Sequence, residues 1–224
     1  MSPIDPFALK SRPRWHPLRA GYVGYSRAQE LIARSRFSSY ALPVSAGANG
    51  EAGSIPDTAV TSFQLECLKR ALQATEHLQD TAVVEVGAFR GVTSAWLASN
   101  TRRRVFAVDP YIGYGGSAGD LAAFQAATRG FANLAHLRVT SGEGSRTWSG
   151  PPISLLFIDA VHDYVNVRFD IAAWSRLMAP GGLIAAHDTD NAMFAGTRRA
   201  VFEASRRFGV FLHTEDLTIL GPVR

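Results

Sequence analysis

From residue 58 onward, short apolar runs alternate with stretches whose apolar residues recur every three or four positions. A run of four to eight apolar residues reads as a buried strand, and the wider spacing as a helix with one buried face. Strands are expected at 81–86 (TAVVEV), 104–109 (RVFAVD), 135–140 (AHLRVT), 153–159 (ISLLFID) and 182–188 (GLIAAHD). Helices are expected at 62–75, 91–99, 118–130, 164–178 and 192–208. In 62–75, Leu65, Leu68, Ala71 and Leu72 share a face; in 164–178, Val165, Phe169, Ala172 and Leu177 are expected to pack on the sheet. The last residues break the rhythm. Two strand-like runs, 208–214 and 217–223, are separated by two residues only, which predicts an antiparallel hairpin.

Strand–helix alternation of this kind predicts an α/β fold. The expected form is a doubly wound, Rossmann-like, mostly parallel seven-stranded sheet that ends in a C-terminal antiparallel hairpin. Residues 1–57 stand apart: they hold six of the eleven prolines and show little periodicity beyond a short helix at 26–37. A stretch of small residues at 43–56 reads as a loop. The expected division is therefore a basic, Pro/Gly-rich segment (1–57) and a catalytic domain (58–224).

Composition narrows the class. Of the 224 residues, 46% are hydrophobic and 19% charged, which fits a globular chain, and no apolar run is long enough to span a bilayer. No secretory signal is visible at the start, so a cytoplasmic protein is expected, without a membrane partner. A single cysteine, Cys67, excludes an internal disulfide and sits in a helical pattern as a buried thiol. The net charge of +4 belongs wholly to residues 1–55, which carry seven Lys/Arg and three Asp/Glu. The remainder is balanced and has no basic face with interleaved aromatics, so no nucleic-acid partner is expected. The cluster TRRRVF (101–106) reads as a solvated turn between a helix and a strand.

The stretch VVEVGAFRGVTSAWL (83–97) carries the first chemical signal. In open α/β sheets, ligands lie beyond the carboxyl ends of the strands, where the strand order reverses. Gly87 and Gly91 flank the turn from the first strand into a helix, and glycine lets a backbone approach a ligand closely. A dinucleotide site has a glycine where this chain has Glu85, and a carboxylate there repels a pyrophosphate but attracts a cation. Twenty-two residues past Gly87, Asp109 closes the second strand, where an acidic residue accepts hydrogen bonds from ribose hydroxyls. After the third strand, Glu143 in VTSGEGS is placed either to meet an adenine edge or to cap a helix. Ribose, adenine and a cationic amino-acid end describe S-adenosylmethionine (SAM).

With the glycine loop, Asp109, LLFIDAVHDY, LMAPGGLIAAHD and the terminal hairpin in this order, residues 60–221 resemble the class I SAM-dependent methyltransferases. The stretch FIDAVHDYVNVRFDIAAWSRLMAPGGLIAAHDT is most similar to the group of macrocin O-methyltransferase-like sugar enzymes and, more distantly, to the catechol O-methyltransferases. The resemblance implies a cofactor site formed by Glu85, Gly87, Ala88, Gly91, Asp109, Pro110, Ser141, Glu143 and Asp159. It implies a small-molecule acceptor, a sugar or other polyol hydroxyl, in a natural-product or polysaccharide pathway.

Two devices could activate that hydroxyl. Asp159 closes the fourth expected strand and Asp188 the fifth; if these strands are neighbours, carboxylates so placed suit Mg²⁺ or another divalent ion. Asp159, His187 and Asp188 form the expected metal set, with Asp190 and Asn191 as alternatives for the third ligand. His162, three residues after Asp159, matches the family histidine that takes the acceptor proton; a structural hydrogen bond or a place beside the metal are its other readings. Asp163 reads as a helix N-cap and Tyr164 as a pocket wall. The glycine-rich 111–120 reads as a lid or a plain loop. Trp15, Tyr22, Tyr25, Phe37 and Tyr40, set among arginines, are expected to cap the acceptor site or to join a second copy in a homo-oligomer. Three other readings compete: a metal-independent methyltransferase with His162 as base, a non-catalytic SAM-binding or assembly module, and a nicotinamide dehydrogenase. Glu85 opposes the last.

Overall fold

In a computed structural model of the chain, which describes residues 5–43, 53–112 and 116–224, seven strands form one sheet. They are β1 (Ala82–Val86), β2 (Arg104–Val108), β3 (Leu134–Leu137), β4 (Ile153–Ile158), β5 (Met178–His187), β6 (Val210–Thr214) and β7 (Leu217–Leu220). Their order is β3-β2-β1-β4-β5-β7-β6. The first five run parallel, and β7 pairs antiparallel with both β5 and β6. The expected sheet and hairpin are both present.

Side-chain alternation sends each central strand into two cores. Val83, Leu155, Phe157 and Leu183 pack with Leu65, Leu68 and Leu72 of α3 (Ser62–Ala74) and with Leu97 of α4 (Val92–Ser99). Val84, Val86, Leu156, Ile158 and Ile184 pack against α7 (Tyr164–Trp174) and α8 (Ala195–Phe208). Each such side chain taken out of water contributes about 1.5–3 kcal/mol before conformational entropy is subtracted. Two shorter helices, α5 (Ala118–Ala127) and α6 (Ser141–Arg146), follow β2 and β3.

The sheet-facing side of α7 differs from the expectation. Val165 and Leu177 pack on the core as expected, but the buried residues are Tyr164, Val167, Ile171 and Trp174, while Phe169 is only half-buried and Ala172 is exposed. Asp163 does cap the helix, accepting from Asn166 N at 2.8 Å. The cap sets the phase, and the buried Asn166 and Asp170 disguise the stripe in the sequence.

The N-terminal residues are more ordered than their prolines suggested. Pro6 opens α1 (Pro6–Lys10) and Pro17 opens α2 (Pro17–Ser35), where a missing N–H costs nothing. The expected helix at 26–37 is thus the second half of a 19-residue helix. Helix α1 packs on α6 and α7, and α2 on α7 and α8. A single side chain fastens the second contact: Glu30 accepts from Tyr164 N (2.8 Å) and Gly196 N (3.1 Å), capping α7 and α8 together. In the 101–106 cluster, Arg103 donates to Leu72 O, Thr75 O and Ser154 Oγ, so it staples the far end of the sheet.

Candidate active site

Register alone assembles the site. Val86 lies beside Val108 on one side and Ile158 on the other, and Ile158 lies beside Ala186. The next residue of each strand is therefore Gly87, Asp109, Asp159 or His187, all on one rim where the order reverses between β1 and β4. Two hydrogen bonds fix it: Gly87 N donates to Val108 O and Asp159 N to Val86 O, both at 2.9 Å.

Gly87 has φ +94°, and a Cβ there would lie 2.3 Å from Asp159 O. Only glycine fits. Gly91 (φ +79°) begins α4, and its missing Cβ leaves room for Phe124. Three non-glycine residues on the rim also hold positive φ: Phe89 at the end of β1, Tyr111 at the end of β2 and Asp188 at the end of β5. Such backbone costs about 1–3 kcal/mol per residue and gathers at functional sites. The Tyr111 hydroxyl donates to Phe89 O and couples two of the three.

Two hollows meet at Gly87, Phe89, Asp159 and Ala160. The first is walled by Asp109, Pro110, Thr140, Ser141, Asp170 and Phe7, among others. The second is walled by Glu85, Ala88, Gly91, Thr58, Thr93 and His162, among others. Phe7 comes from α1, so the N-terminal segment closes one side of the first hollow; nothing in the sequence pattern showed this.

Glu85 does not stand at the mouth, as expected, but beneath it. It is 1% exposed, its carboxylate accepts from the Ser94 hydroxyl, and it borders the second hollow. Burial pushes its pKa up to about 8, against the Ser94 hydrogen bond and with the charges of Asp159 and Asp109 adding. Asp109 is also committed to its own loop. Oδ2 accepts from Ala88 N (3.2 Å) and Phe89 N (3.0 Å), and Oδ1 from Tyr111 N (3.0 Å). Its pKa is raised by burial, and these three N–H groups oppose the rise. Glu143 is exposed on the first turn of α6 and walls neither hollow. Ser141 faces the first hollow instead.

At the ends of β4 and β5, Asp159, His162, His187 and Asp188 converge. His162 Nε2 lies 3.1 Å from Asp159 Oδ1, and its Nδ1 3.1 Å from Asp188 Oδ2. His187 Nδ1 lies 3.4 Å from Asp159 Oδ1 and 3.6 Å from Asp188 Oδ2. Burial opposes charge on both rings, but the carboxylates outweigh it: His162 is raised and His187 reaches about 10. Burial would raise Asp159, yet the two histidines hold it well below the usual carboxylate range. Asp190 and Asn191 are elsewhere. Asp190 pairs with Arg198 and His213, and Asn191 caps the short helix 192–194.

Gln64 orients the His187 ring. Its Oε1 accepts from Thr61 N (2.8 Å) and its Nε2 donates to Glu215 O (2.9 Å), so an acceptor faces His187 Nε2 at 3.1 Å. His187 Nε2 is then the donor, and Nδ1, buried and without a hydrogen bond among the described residues, faces the two carboxylates. Asp159, His162 and Asp188 also offer ligand atoms within 4.8 Å of one another.

Residues 84–189, from β1 to the end of β5, match the model of a family described as a methyltransferase domain. Over this stretch the chain is similar to a methyltransferase domain. No curated protein sequence matches it significantly. Among solved structures, the domain resembles the O-methyltransferase NovP, with a TM-score of 0.61 and 14% identity over 89% of this chain and 98% of that one. It resembles an O-methyltransferase from Bacillus cereus in complex with S-adenosylhomocysteine (SAH), at 0.57 and 15% over 87% and 91%. An rRNA methylase from Streptococcus thermophilus shares the fold at 0.54 and 16%, over 76% of this chain and all of that one. At these identities the likeness is one of fold; the methyltransferase domain's chemistry has to come from its own residues.

No described helix is long and apolar enough to cross a membrane. Of the 111–120 loop, residues 113–115 lie outside the described residues.

Proposed function

We propose that this methyltransferase uses SAM to methylate a hydroxyl of a small molecule, a sugar or other polyol, with help from a divalent ion. The observation that carries the reading is the set of two carboxylates and two histidines beside a crevice whose buried acid, Glu85, has no cation among the groups that set its pKa. A diphosphate would meet Asp109 and Asp159 as like charges and would oppose the ionisation of Glu85. A ligand with an ammonium and a sulfonium would relieve them. The cofactor, when bound, supplies an electrophilic methyl on its sulfonium sulfur.

The protein's part is to hold, orient and take a proton. The Gly87 turn and the N–H groups of Ala88 and Phe89, locked by Asp109, shape the crevice; Pro110 and Ser141 wall the nucleoside side; Phe7 excludes water there. In this reading residues 1–57 serve as a cap on residues 58–224. Thr58, Thr93 and Arg90 make the second hollow polar, which suits an acceptor rich in hydroxyls.

The donor chemistry fits a divalent ion on Asp159, Asp188 and the Nδ1 of His187, whose proton the ion would displace. Bound there, the ion lowers the pKa of an acceptor hydroxyl. His162 then acts as the base. Between the two carboxylates its pKa is raised, which disfavours a base; a cation held by Asp159 and Asp188 would remove that cause and leave Nε2 able to take the acceptor proton. A metal-independent reaction is the second reading, and this placement counts against it.

The test is methyl transfer from SAM to a panel of sugars, polyols and phenols, with EDTA or Mg²⁺, in wild type and in His162→Ala and His187→Ala variants. Turnover only with the ion, metal binding kept in His162→Ala and weakened in His187→Ala, is the expected pattern. Full turnover in EDTA leaves the metal-independent mechanism standing.

A further inference from the structure

Asp170 is a buried acid with no place in the mechanism above. It projects from the middle of α7, is 3% exposed and walls the first hollow, as Ser141 and Asp109 do. Its Oδ1 accepts from the Ser141 hydroxyl, whose oxygen in turn accepts from Trp174 Nε1 at 2.9 Å. Oδ2 has no partner among the described residues. Trp174 is fully buried, so this relay holds the carboxyl in one orientation.

The carboxyl is fixed through Oδ1 and borders the hollow, which leaves Oδ2 available to a ligand there. We propose that Asp170 reads the adenine of the cofactor, donating from Oδ2 to ring nitrogen N1 while Ser141 holds Oδ1. The inference rests on the SAM reading and adds a specificity-determining residue to it. Burial pushes the Asp170 carboxyl up to about 7, with the Ser141 hydroxyl opposing and the nearby Asp5 and Asp163 charges adding. The group therefore has a proton to donate near neutral pH, which an ordinary exposed carboxylate lacks. The assignment also explains why Glu143 can stay in solvent: the adenine edge is met from α7 instead.

The experiment is a double-mutant cycle between Asp170 and N1, read as dissociation constants at pH 6. The ligands are SAH and its 1-deaza analogue, in which N1 is replaced by C–H. Wild type should bind the analogue about tenfold more weakly, the usual effect of leaving one buried donor unpaired. Asp170→Asn, whose amide still donates, should keep that difference, and Asp170→Leu should abolish it. Equal affinities in wild type, or an undiminished preference in Asp170→Leu, would overturn the inference and leave the cofactor reading intact. Failure of wild type to bind either ligand would overturn both. The wild-type comparison stands alone if Asp170→Leu does not fold.

Discussion

His162 Nε2 lies 3.1 Å from Asp159 Oδ1, a distance at which an imidazolium and a carboxylate stabilise each other's charge. Asp188, at 3.1 Å on the other nitrogen, adds to the effect, so the ring titrates above its usual value despite burial.

The direction of that shift gives the first prediction. A base whose pKa is raised is protonated over more of the neutral range, and a cation on Asp159 and Asp188 removes the cause. An NMR titration of the His162 ring should show a midpoint above about 6.5 in EDTA. The midpoint should fall on adding Mg²⁺. A midpoint that ignores the ion contradicts the assignment of both carboxylates to a metal.

Glu85 should limit stability while serving binding. Its pKa is raised from the usual value of 4.5 to about 8, so the stability linked to its neutral form is complete below 4.5 and lost as pH rises through 8. Glu85→Gln keeps the acceptor for Ser94 and removes the ionisation. Without cofactor, this variant should gain roughly 4 kcal/mol over wild type near pH 8, and its Tm should flatten between pH 5 and 8. It should also lose affinity for SAH. Thermal melts across that range decide it, and a wild-type Tm that rises from pH 5 to 8 would count against a buried, neutral Glu85.

Gly87→Ala tests the rim itself. A methyl group 2.3 Å from Asp159 O, on a backbone of positive φ, cannot be absorbed without moving β4 away from β1. A loss of roughly 3 kcal/mol is expected, together with loss of SAH binding, by denaturant melts and calorimetry. A variant of wild-type stability would show that the turn is looser than its geometry.

Glu30→Ala should undock α2. Removing the shared cap leaves Tyr164 N and Gly196 N unpaired, at a cost of roughly 2 kcal/mol. Because α7 begins two residues after His162, KM for the acceptor should rise as well. Protection of the α7 and α8 first-turn amides in hydrogen exchange should fall. Unchanged protection would mean that α2 rests on the body without holding it.

Much of this was legible from the residues alone. The apolar runs of β1, β4 and β5 are continuous because both faces of those strands are buried, and such runs read unambiguously once Gly87 and Gly91 mark the turn. Asp109, Asp159 and Asp188 stood out because each ends a strand. Other features left no local trace. The Glu30 cap joins residues 134 and 166 positions apart. Phe7 reaches the first hollow only because α1 and α2 fold back over α6 and α7. Gln64 looked like one polar position of an amphipathic helix, yet it orients the ring of His187. Asp170 was hidden by the phase of α7, which a count of apolar residues placed on the wrong face. Of its two readings, Glu143 took the one at the helix start: it stands exposed in the first turn of α6 and meets neither hollow.

The central claim is that a buried acid under the Gly87 turn selects a cationic nucleoside over a diphosphate one. Isothermal titration of SAH at pH 7, in two buffers of different ionisation enthalpy, tests it most directly. Saturable binding with release of close to one proton, as Glu85 ionises against the ligand's ammonium group, is the predicted result. Binding of NAD in place of SAH, or SAH binding with no proton released, would contradict it.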